Sequence, residues 1–344
     1  MTEVTRPERP NQLVERVLSA EPEATQGWLS WAGKALLSSP VPYILAVTTA
    51  LALVVENQYI LHLLVTGLLF GASAMAFDFA AGYINVVNFG YAAFMGLGGY
   101  TAGLLSYYFG VNPWLGMLAG TIAAGILGFF TGILTLRLRG MYAAVLSWFV
   151  GLALMAVATV WVDVTRGAWG VWVPVLIESG DKRAYYFAML PLVILTYVVV
   201  QLITKSPIGL AFKAIGQNRD AALASGIRIT HYLVFNFTVS CALAGMIGGA
   251  MAYFIGTLNP EIMHTKHTME VLILAYVGGR GSIWGGLLAG FTMIPLFEYL
   301  KPLFEIRLII YGLLLIVLMI FFPGGFQGLV SGVLSVIRRR RRGE

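Results

Sequence analysis

Ten apolar runs, separated by short polar or glycine-rich connections, make up most of this chain of 344 residues. A helix needs about 20 mostly apolar residues to cross a bilayer, whereas a membrane barrel would show short segments of alternating hydrophobicity. The pattern therefore predicts an all-α, polytopic transmembrane helical bundle of about ten spans within residues 41–330. The first and eighth runs are short, so eight or nine spans are alternatives. The predicted spans are 42–56, 59–80, 86–108, 114–136, 141–162, 185–203, 231–256, 268–279, 284–300 and 306–322.

The composition supports a membrane protein with closely packed helices. Hydrophobic residues make up 58% of the chain and charged residues 11%, against about 25% charged residues in a soluble domain. The 40 glycines are typical of membrane helices whose backbones approach each other, and several fall at GxxxG spacing. These pairs are Gly67/Gly71, Gly99/Gly103, Gly116/Gly120, Gly128/Gly132, Gly245/Gly249 and Gly286/Gly290.

A polar stretch at residues 207–226, hereafter the island, interrupts the apolar pattern. Pro207 suits the first turn of a helix, and Gly226 suits a position just past its end. The island is too long for a tight turn, so it predicts an amphipathic helix that either contacts another protein or only joins two spans. Its apolar positions are Ile208, Ala211, Phe212, Ile215 and Leu223, and its polar positions include Lys213, Gln217, Arg219 and Asp220.

Lysine and arginine are distributed unevenly between the two predicted sides of the membrane. An even number of spans puts both termini on one side, and the run Arg338 to Arg342 marks that side as cytoplasmic by the positive-inside rule. On this assignment 16 of the 22 Lys and Arg residues lie inside and six outside. The island then faces the cytoplasm, and the loop 163–184 faces outward as an interfacial aromatic belt or a docking surface. The net charge of +6 reflects this topology and requires no nucleic-acid partner.

The two ends of the chain are polar. Residues 1–40 lack an early apolar core and do not resemble a cleaved signal peptide. They predict a cytoplasmic tail that is either poorly ordered or forms an interfacial helix around Trp28 and Trp31. Residues 331–344 predict a basic cytoplasmic tail.

The sequence carries no recognisable catalytic or nucleotide-binding motif. The string from Gly27 to Ala35 has one residue too many for a phosphate-binding loop and lacks the Ser or Thr. The histidines and the single cysteine show no metal-ligand spacing, and we expect His264, His267 and Glu261 to be solvated on an outer loop. We therefore expect no enzymatic activity and no cofactor or metal in this chain, so that any energy from ATP comes from another subunit.

Five motifs follow one another along the chain. They are the stretch Ala81 to Ala102 with its Gly-Tyr pairs, the basic turn Leu136 to Tyr142, the island from Ser206 to Ile227, the glycine turn Tyr276 to Gly285, and the closing stretch Pro323 to Gly328. Together they resemble the permease subunits of ABC importers for branched-chain amino acids, particularly the larger of the two permeases. The resemblance covers about Leu63 to Leu329, which is most of the chain.

The resemblance implies a type II-like importer permease in the cytoplasmic (inner) membrane, with residues 207–226 as a cytoplasmic coupling helix. The implied partners are a second, similar permease in a heterodimer, two ATPase subunits carrying ATP and Mg²⁺, an extracytoplasmic substrate-binding protein and membrane lipid. Leu210 stands where the family often has Arg, and residues 85–88 also depart from its pattern. Urea, short amides and aromatic acids therefore stay open as solutes beside branched-chain amino acids. The implied coupling residues are Pro207, Gly209, Phe212, Lys213, Gln217, Arg219, Asp220 and Gly226.

Interrupted helices in matching places of two halves indicate the route of many transporters. If the ten spans divide as five plus five, spans three and eight correspond, and both adjoin glycine clusters. We expect their broken ends to line the translocation route, although close glycine packing explains the same pattern. The predicted pathway residues are Asp78, Tyr83, Asn85, Asn88, Tyr91, Gly96, Gly278, Gly279 and Gly281.

Three acidic residues, Asp78, Glu270 and Glu298, lie within or near apolar runs. Such residues usually face the protein interior or water, because a charge in lipid is costly. Asp78 suits a solute ammonium, a helix cap or an ion pair, and Asp78→Ala is expected to lower transport. Glu298 suits an interfacial pair with Lys301. Two rivals to the importer remain: an ion-coupled secondary transporter that relies on Asp78 and Glu270, and a passive urea or amide channel.

Overall fold

The computed structural model describes residues 33, 35–37, 39–135, 138, 141–177, 180–303, 306–321 and 324–329. The chain divides into two compact units, Met1–Ser39 and Pro40–Glu344. The predicted interfacial helix around Trp28 and Trp31 and the basic tail 331–344 lie outside the described residues. The fold below is that of the second unit.

Helices account for nearly all of this unit. They are α1 (Val41–Val54), α2 (Gln58–Ala81), α3 (Tyr91–Phe109), α4 (Pro113–Thr135), α5 (Met141–Val160), α6 (Lys182–Lys205), α7 (Pro207–Gln217), α8 (Arg219–Ala224), α9 (Ile229–Ile255), α10 (Thr265–Gly278), α11 (Ile283–Leu300) and α12 (Ile306–Phe321). A helical turn at Val162–Thr165 and three short 3-10 segments, Gly167–Trp169, Pro260–Met263 and Lys301–Leu303, lie between them. The strands β1 (Val171–Trp172) and β2 (Thr257–Leu258) pair antiparallel, an addition that the apolar pattern did not predict.

A helix occupies each of the ten apolar runs. Six of the described helices, α2, α4, α5, α6, α9 and α11, are long and apolar enough to cross a membrane, and α1 is a shorter apolar helix. The prediction of an all-α polytopic membrane protein is therefore confirmed. The count of ten spans stays a prediction, because α10 has only 14 residues, about 21 Å of helix against a hydrocarbon core of about 30 Å.

The connections gather at two opposite ends of the bundle. At the ribbon end, Val173 N–H donates to Gly256 O at 3.0 Å beside the β1–β2 ribbon, and Arg183 donates to Val55 O at 2.8 Å. At the island end, Asn85 donates to Gly216 O at 2.5 Å, which joins the α2–α3 loop to α7. Successive long helices run in alternate directions between these two ends.

Glycines let the central helices α9, α3 and α4 approach one another at backbone distance. A Cβ added at Gly98 would lie 2.1 Å from Gly245 O, and one added at Gly248 would lie 1.9 Å from Met95 O. On the other side of the bundle, a Cβ at Gly290 would lie 2.5 Å from Gly67 O. Several GxxxG positions therefore pack helix against helix as predicted.

We predict that Gly248→Ala lowers the midpoint of thermal unfolding of the protein in detergent, because the added methyl group cannot fit beside Met95 O. Overpacking of this kind costs about 1–3 kcal/mol. Gly312→Ala is the matched control, since nothing lies within 4 Å of a Cβ there. Equal midpoints for the two variants would contradict close packing at Gly248.

Candidate functional site

Asn85 joins three segments at the island end. Its backbone has a positive φ of 55°, which L residues other than Asn and Asp seldom adopt. Its Nδ2 donates to Gly216 O at 2.5 Å, and its Oδ1 accepts from Arg280 Nη2. The guanidinium of Arg280 also lies 5.5 Å from the ring centroid of Tyr276. One exposed amide thereby links the α2–α3 loop, the end of α7 and the turn between α10 and α11, a junction hereafter called the Asn85 bridge.

The island forms two helices rather than the single predicted helix. Helix α7 ends at Gln217 and α8 begins at Arg219, because Asn218 is extended at φ −154°. The Asn218 side chain accepts hydrogen bonds from Asp220 N and Ala221 N, both at 3.0 Å, and so starts α8 as an N-cap. The predicted ends hold: Pro207 lies in the first turn of α7, and Gly226 has φ +80° just beyond α8.

One face of α7 packs onto the bundle. Phe212 is fully buried, with its ring centroid 5.5 Å from that of Phe79 and 6.1 Å from that of Tyr232. A Cβ at Gly216 would lie 2.2 Å from Tyr83 O, so α7 rests directly on the α2–α3 loop. A Cβ at Gly209 would likewise lie 2.1 Å from Thr204 O. Of the predicted coupling residues, Phe212 and Gly209 therefore anchor the island to its own chain.

The opposite face of the island is exposed. Lys213, Gln217 and Asp220 are exposed, and Arg219 is half-buried in a pocket that it shares with Asn85. Two apolar side chains, Leu210 and Leu223, are 67% and 50% exposed beside them. This mixture of exposed charged and leucine side chains, hereafter the outer face, is available to a partner.

Asp78 holds the turn between α10 and α11. It is buried near the end of α2, and its Oδ1 accepts from Gly281 N at 3.1 Å. Ser282 then caps α11 by accepting from Gly285 N at 3.1 Å. The sequence suggested three roles for Asp78: binding a solute ammonium, capping a helix or forming an ion pair. The contact with Gly281 N supports the helix cap.

The three glycines of the predicted pathway lie in the same turn. Gly279 and Gly281 have φ values of +102° and +75°, which favour glycine. A Cβ at Gly278 would lie 2.3 Å from Gly285 C, and one at Gly279 would lie 2.5 Å from Gly324 O. These contacts favour close backbone packing, the alternative to an open route at these positions.

Asn88 and Tyr91 begin α3 inside the bundle. Asn88 is buried and accepts from Gly90 N at 3.0 Å, while Phe89 N donates to Ser147 Oγ of α5 at 3.0 Å. Tyr91 is fully buried and donates to Ser73 O at 3.0 Å. Both predicted pathway residues are thus engaged in the packing of α3.

Helices α3 and α10, which the five-plus-five division pairs, each follow a loop of nine residues. The loop 82–90 before α3 and the loop 256–264 before α10 have the same length, and the two helices enter from opposite ends of the bundle. Their first turns meet, because Ala92 N donates to Thr268 Oγ1 at 3.0 Å. Gly96, the next predicted pathway residue, faces Met263 just before α10. The two interrupted helices therefore meet inside the bundle.

We expected His267 on an outer loop, but it lies in a helix and its side chain is only partly exposed. It lies in α10, and its Nδ1 is 2.9 Å from Glu270 Oε2. The polar spacing that places both residues on one helical face, i to i+3, was readable from the sequence. Glu298 behaves as expected, since it pairs with Lys301 at 2.6 Å.

The ribbon end carries its own charged groups. Glu261 pairs with Lys266, and this hydrogen bond and charge hold the pKa of Glu261 below its usual value. Asp181 caps α6 by accepting from Arg183 N at 2.9 Å, and this bond together with that from Gln58 lowers the pKa of Asp181. Trp169 and Trp172 stand beside them with 94% and 75% of their surface exposed.

The fold is that of a polytopic helical membrane protein. Residues 59–323 match the model of the family described as "Branched-chain amino acid transport system / permease component". That match covers most of the chain, and the chain belongs to this family of ABC importer permeases. The family is one of transport permease components and is not a known enzyme family.

Curated relatives agree with the family. The chain is 25% identical over 299 residues to the high-affinity branched-chain amino acid transport system permease protein LivM of Salmonella typhimurium, covering 78% of this chain and 70% of that one. It is 25% identical over 274 residues to the probable permease LivH of Methanocaldococcus jannaschii, covering 71% and 84% of the two chains. The probable LivM of the same organism is 22% identical over 248 residues, covering 61% and 72%. No solved structure matches this chain.

We predict that Asp78→Ala lowers the midpoint of thermal unfolding and reduces uptake, because it leaves the half-buried Gly281 N–H without its acceptor. The cost of such a lost bond is about 1–3 kcal/mol. Asp78→Asn keeps an acceptor oxygen and should retain most of both properties. If Asp78 instead binds a solute ammonium, Asp78→Asn will abolish uptake as fully as Asp78→Ala while leaving the thermal midpoint unchanged.

Proposed function

We propose that this chain is the permease subunit of an ATP-driven importer that moves branched-chain amino acids across the cytoplasmic membrane. Support comes from the family match and from the names of the relatives LivM and LivH. The chain performs no covalent chemistry in this proposal. Two ATPase subunits supply ATP hydrolysis with Mg²⁺, and an extracytoplasmic binding protein delivers the solute.

The observation that carries the proposal is the construction of the island. Its inner face is fixed to the bundle by Phe212, and its outer face presents Lys213, Gln217 and Asp220 to solvent. A helix that served only as a connection would need no exposed leucines, yet Leu210 and Leu223 are largely exposed. We assign the outer face to an ATPase groove, with α7 and α8 together as the coupling element.

Movement of α7 reaches the interior through the Asn85 bridge. Asn85 bonds Gly216 O of α7 and Arg280 of the α10–α11 turn. Asp78 of α2 holds the α10–α11 turn by accepting a hydrogen bond from Gly281 N. We propose that a displacement of the island is passed to α2, α10 and α11 through these contiguous hydrogen bonds.

We propose that the protein lies in the membrane with its island end in the cytoplasm. Lys205, Lys213, Arg228 and Arg280 are exposed at this end, and the basic residues Arg137 and Arg139 and the terminal arginine run belong to the same side in the sequence. The positive-inside rule then puts the ribbon end outside. Trp169 and Trp172, exposed at that end, are where we place the external binding protein, and both termini are cytoplasmic.

A second, similar permease completes the proposed core of the importer. The chain is similar to both LivH and LivM of Methanocaldococcus jannaschii, two different permeases in one organism. Helices α4 and α5 carry broad exposed apolar faces, with Phe130 and Phe149 each 58% exposed. In a membrane these faces meet lipid or the second permease, and we propose a heterodimer with ten spans in this chain.

The ion-coupled rival relies on Asp78 and Glu270, and both acids have protein partners: Asp78 accepts from Gly281 N, and Glu270 contacts His267. A direct test is uptake by the purified chain alone in vesicles. Accumulation against a solute gradient, driven by protons or sodium without ATPase subunits, would establish a secondary transporter, and downhill flux alone would establish a channel.

We predict that Lys213→Glu weakens co-purification with the ATPase subunits and lowers ATP-driven leucine uptake at least several-fold, because it reverses a charge on the outer face. Arg228→Glu is the control, being the same change at an exposed position of the same end outside α7 and α8. Wild-type uptake and co-purification by Lys213→Glu would remove the island from the ATPase interface.

We predict that Asn85→Gly uncouples the transporter. Glycine adopts the positive φ at this position without strain, so the backbone is kept while both side-chain bonds are lost. Vesicles with the complete transporter should keep ATP hydrolysis and lose most uptake. Asn85→Asp keeps the bond to Arg280 but not the donor to Gly216 O, and should lie between. Normal uptake per ATP hydrolysed in Asn85→Gly would exclude the Asn85 bridge from coupling.

A further inference from the structure

An apolar cavity lies inside the bundle where the interrupted helices meet. Its volume is about 70 Å³, which is room for a few methyl and methylene groups and well below the about 300–1,000 Å³ of sites that enclose a whole small molecule. We call it the inner cavity. Its wall includes Phe70, Met95, Met251, Ile255, Ile262 and His267.

The wall of the inner cavity draws on several elements at once. Phe70 belongs to α2, Met95 to α3, Met251 to α9 and Ile262 to the 3-10 turn before α10. Gly96 also lines it, at a point where a Cβ would meet Met263 Cγ at 2.3 Å. Elements from both halves of the bundle therefore enclose one space, and any rearrangement of the halves changes its shape.

The chemistry of the wall suits a branched aliphatic group. Methionine side chains adapt to irregular shapes, and the isoleucine side chains add branched apolar contact surface. A hydrocarbon branch gains about fourfold in affinity for each methylene group that it buries. A polar solute such as urea gains nothing from these walls, since burying polar groups without hydrogen-bond partners is unfavourable.

One polar pair stands at the edge of this apolar space. His267 lines the cavity, and its Nδ1 lies 2.9 Å from Glu270 Oε2. With Nδ1 engaged by Glu270, the pair presents a carboxylate and the second ring nitrogen, Nε2, as hydrogen-bonding groups. A carboxylate at this edge suits a cationic donor such as an α-ammonium group.

We propose that the inner cavity binds the branched aliphatic side chain of the amino acid during translocation, with the α-ammonium group at the His267–Glu270 pair. This assignment rests on the proposed function and adds to it the place inside the permease where the solute is selected. The permease then contributes to the choice of solute, beside any selection made by an external binding protein.

Photo-crosslinking with a diazirine analogue of leucine tests the proposal. The complete transporter in lipid nanodiscs is illuminated with the analogue, and the modified residues are located by mass spectrometry. We expect modification at Met251, Ile255 or Ile262, and we expect excess leucine to suppress it at least tenfold more effectively than the same concentration of alanine. Modification confined to residues outside the inner cavity, or equal suppression by alanine, overturns the proposal.

Two variants sharpen the test. Ile262→Trp fills the cavity and should lower the crosslinking yield about tenfold, whereas Ile309→Trp, on an exposed face of α12, should leave it unchanged. His267→Ala should lower crosslinking by the leucine analogue but not by a diazirine analogue of the same side chain without the amino group. Normal crosslinking in Ile262→Trp contradicts the proposal, and the wild-type map decides the matter if that variant does not fold.

The same preparation separates this inference from the proposed function. If the wild-type transporter accumulates leucine with ATP but crosslinks elsewhere, the inner cavity is not the solute site and the importer stands. If it accumulates no branched-chain amino acid while accumulating another solute, the substrate of the proposed function is wrong and the assignment of the cavity fails with it.

Discussion

The architecture depends on satisfying backbone polar groups where helices break inside an apolar bundle. No water compensates an unpaired N–H in the hydrocarbon region, so each break must find protein partners. At the start of α3 these are Asn88, Ser147 and Thr268, on three different segments. At the start of α11 they are Asp78 and Ser282. Each break is therefore hydrogen-bonded to other segments, and these bonds connect the helices of the bundle to one another.

Much of this fold could be predicted from the sequence, because a segment that crosses lipid must be apolar and must satisfy its own backbone hydrogen bonds. Apolar runs become helices, and each of the ten runs contains one. Close helix contacts fall at GxxxG positions such as Gly245 and Gly290, since only glycine permits backbones at that distance. The ends of the island at Pro207 and Gly226 were also predicted, because both residues have strong local conformational preferences.

The site was less predictable because it is made by long-range partners. Nothing near Asp78 in the sequence indicates that its carboxylate would accept from Gly281, and the inward direction of Phe212 depends on Phe79 and Tyr232. An amphipathic helix has two sides, and the sequence does not say which side meets its own chain. The break at Asn218 was readable, since Asn followed by Arg-Asp is a good helix start. His267 was misplaced because α10 begins only two residues after the 3-10 turn Pro260–Met263, and no apolar run marks its first turn.

The Asn85 bridge has a consequence for regulation. A linkage that carries displacement from the ATPase side inward carries it outward with the same free energy, because thermodynamic coupling between two binding sites is reciprocal. In the proposed importer, a solute bound between α3 and α10 would therefore alter the affinity of the island for its ATPase as much as the ATPase alters the affinity for the solute. In the proposed importer, the attachment of the motor would thus depend on whether cargo is present, through the two hydrogen bonds of one amide.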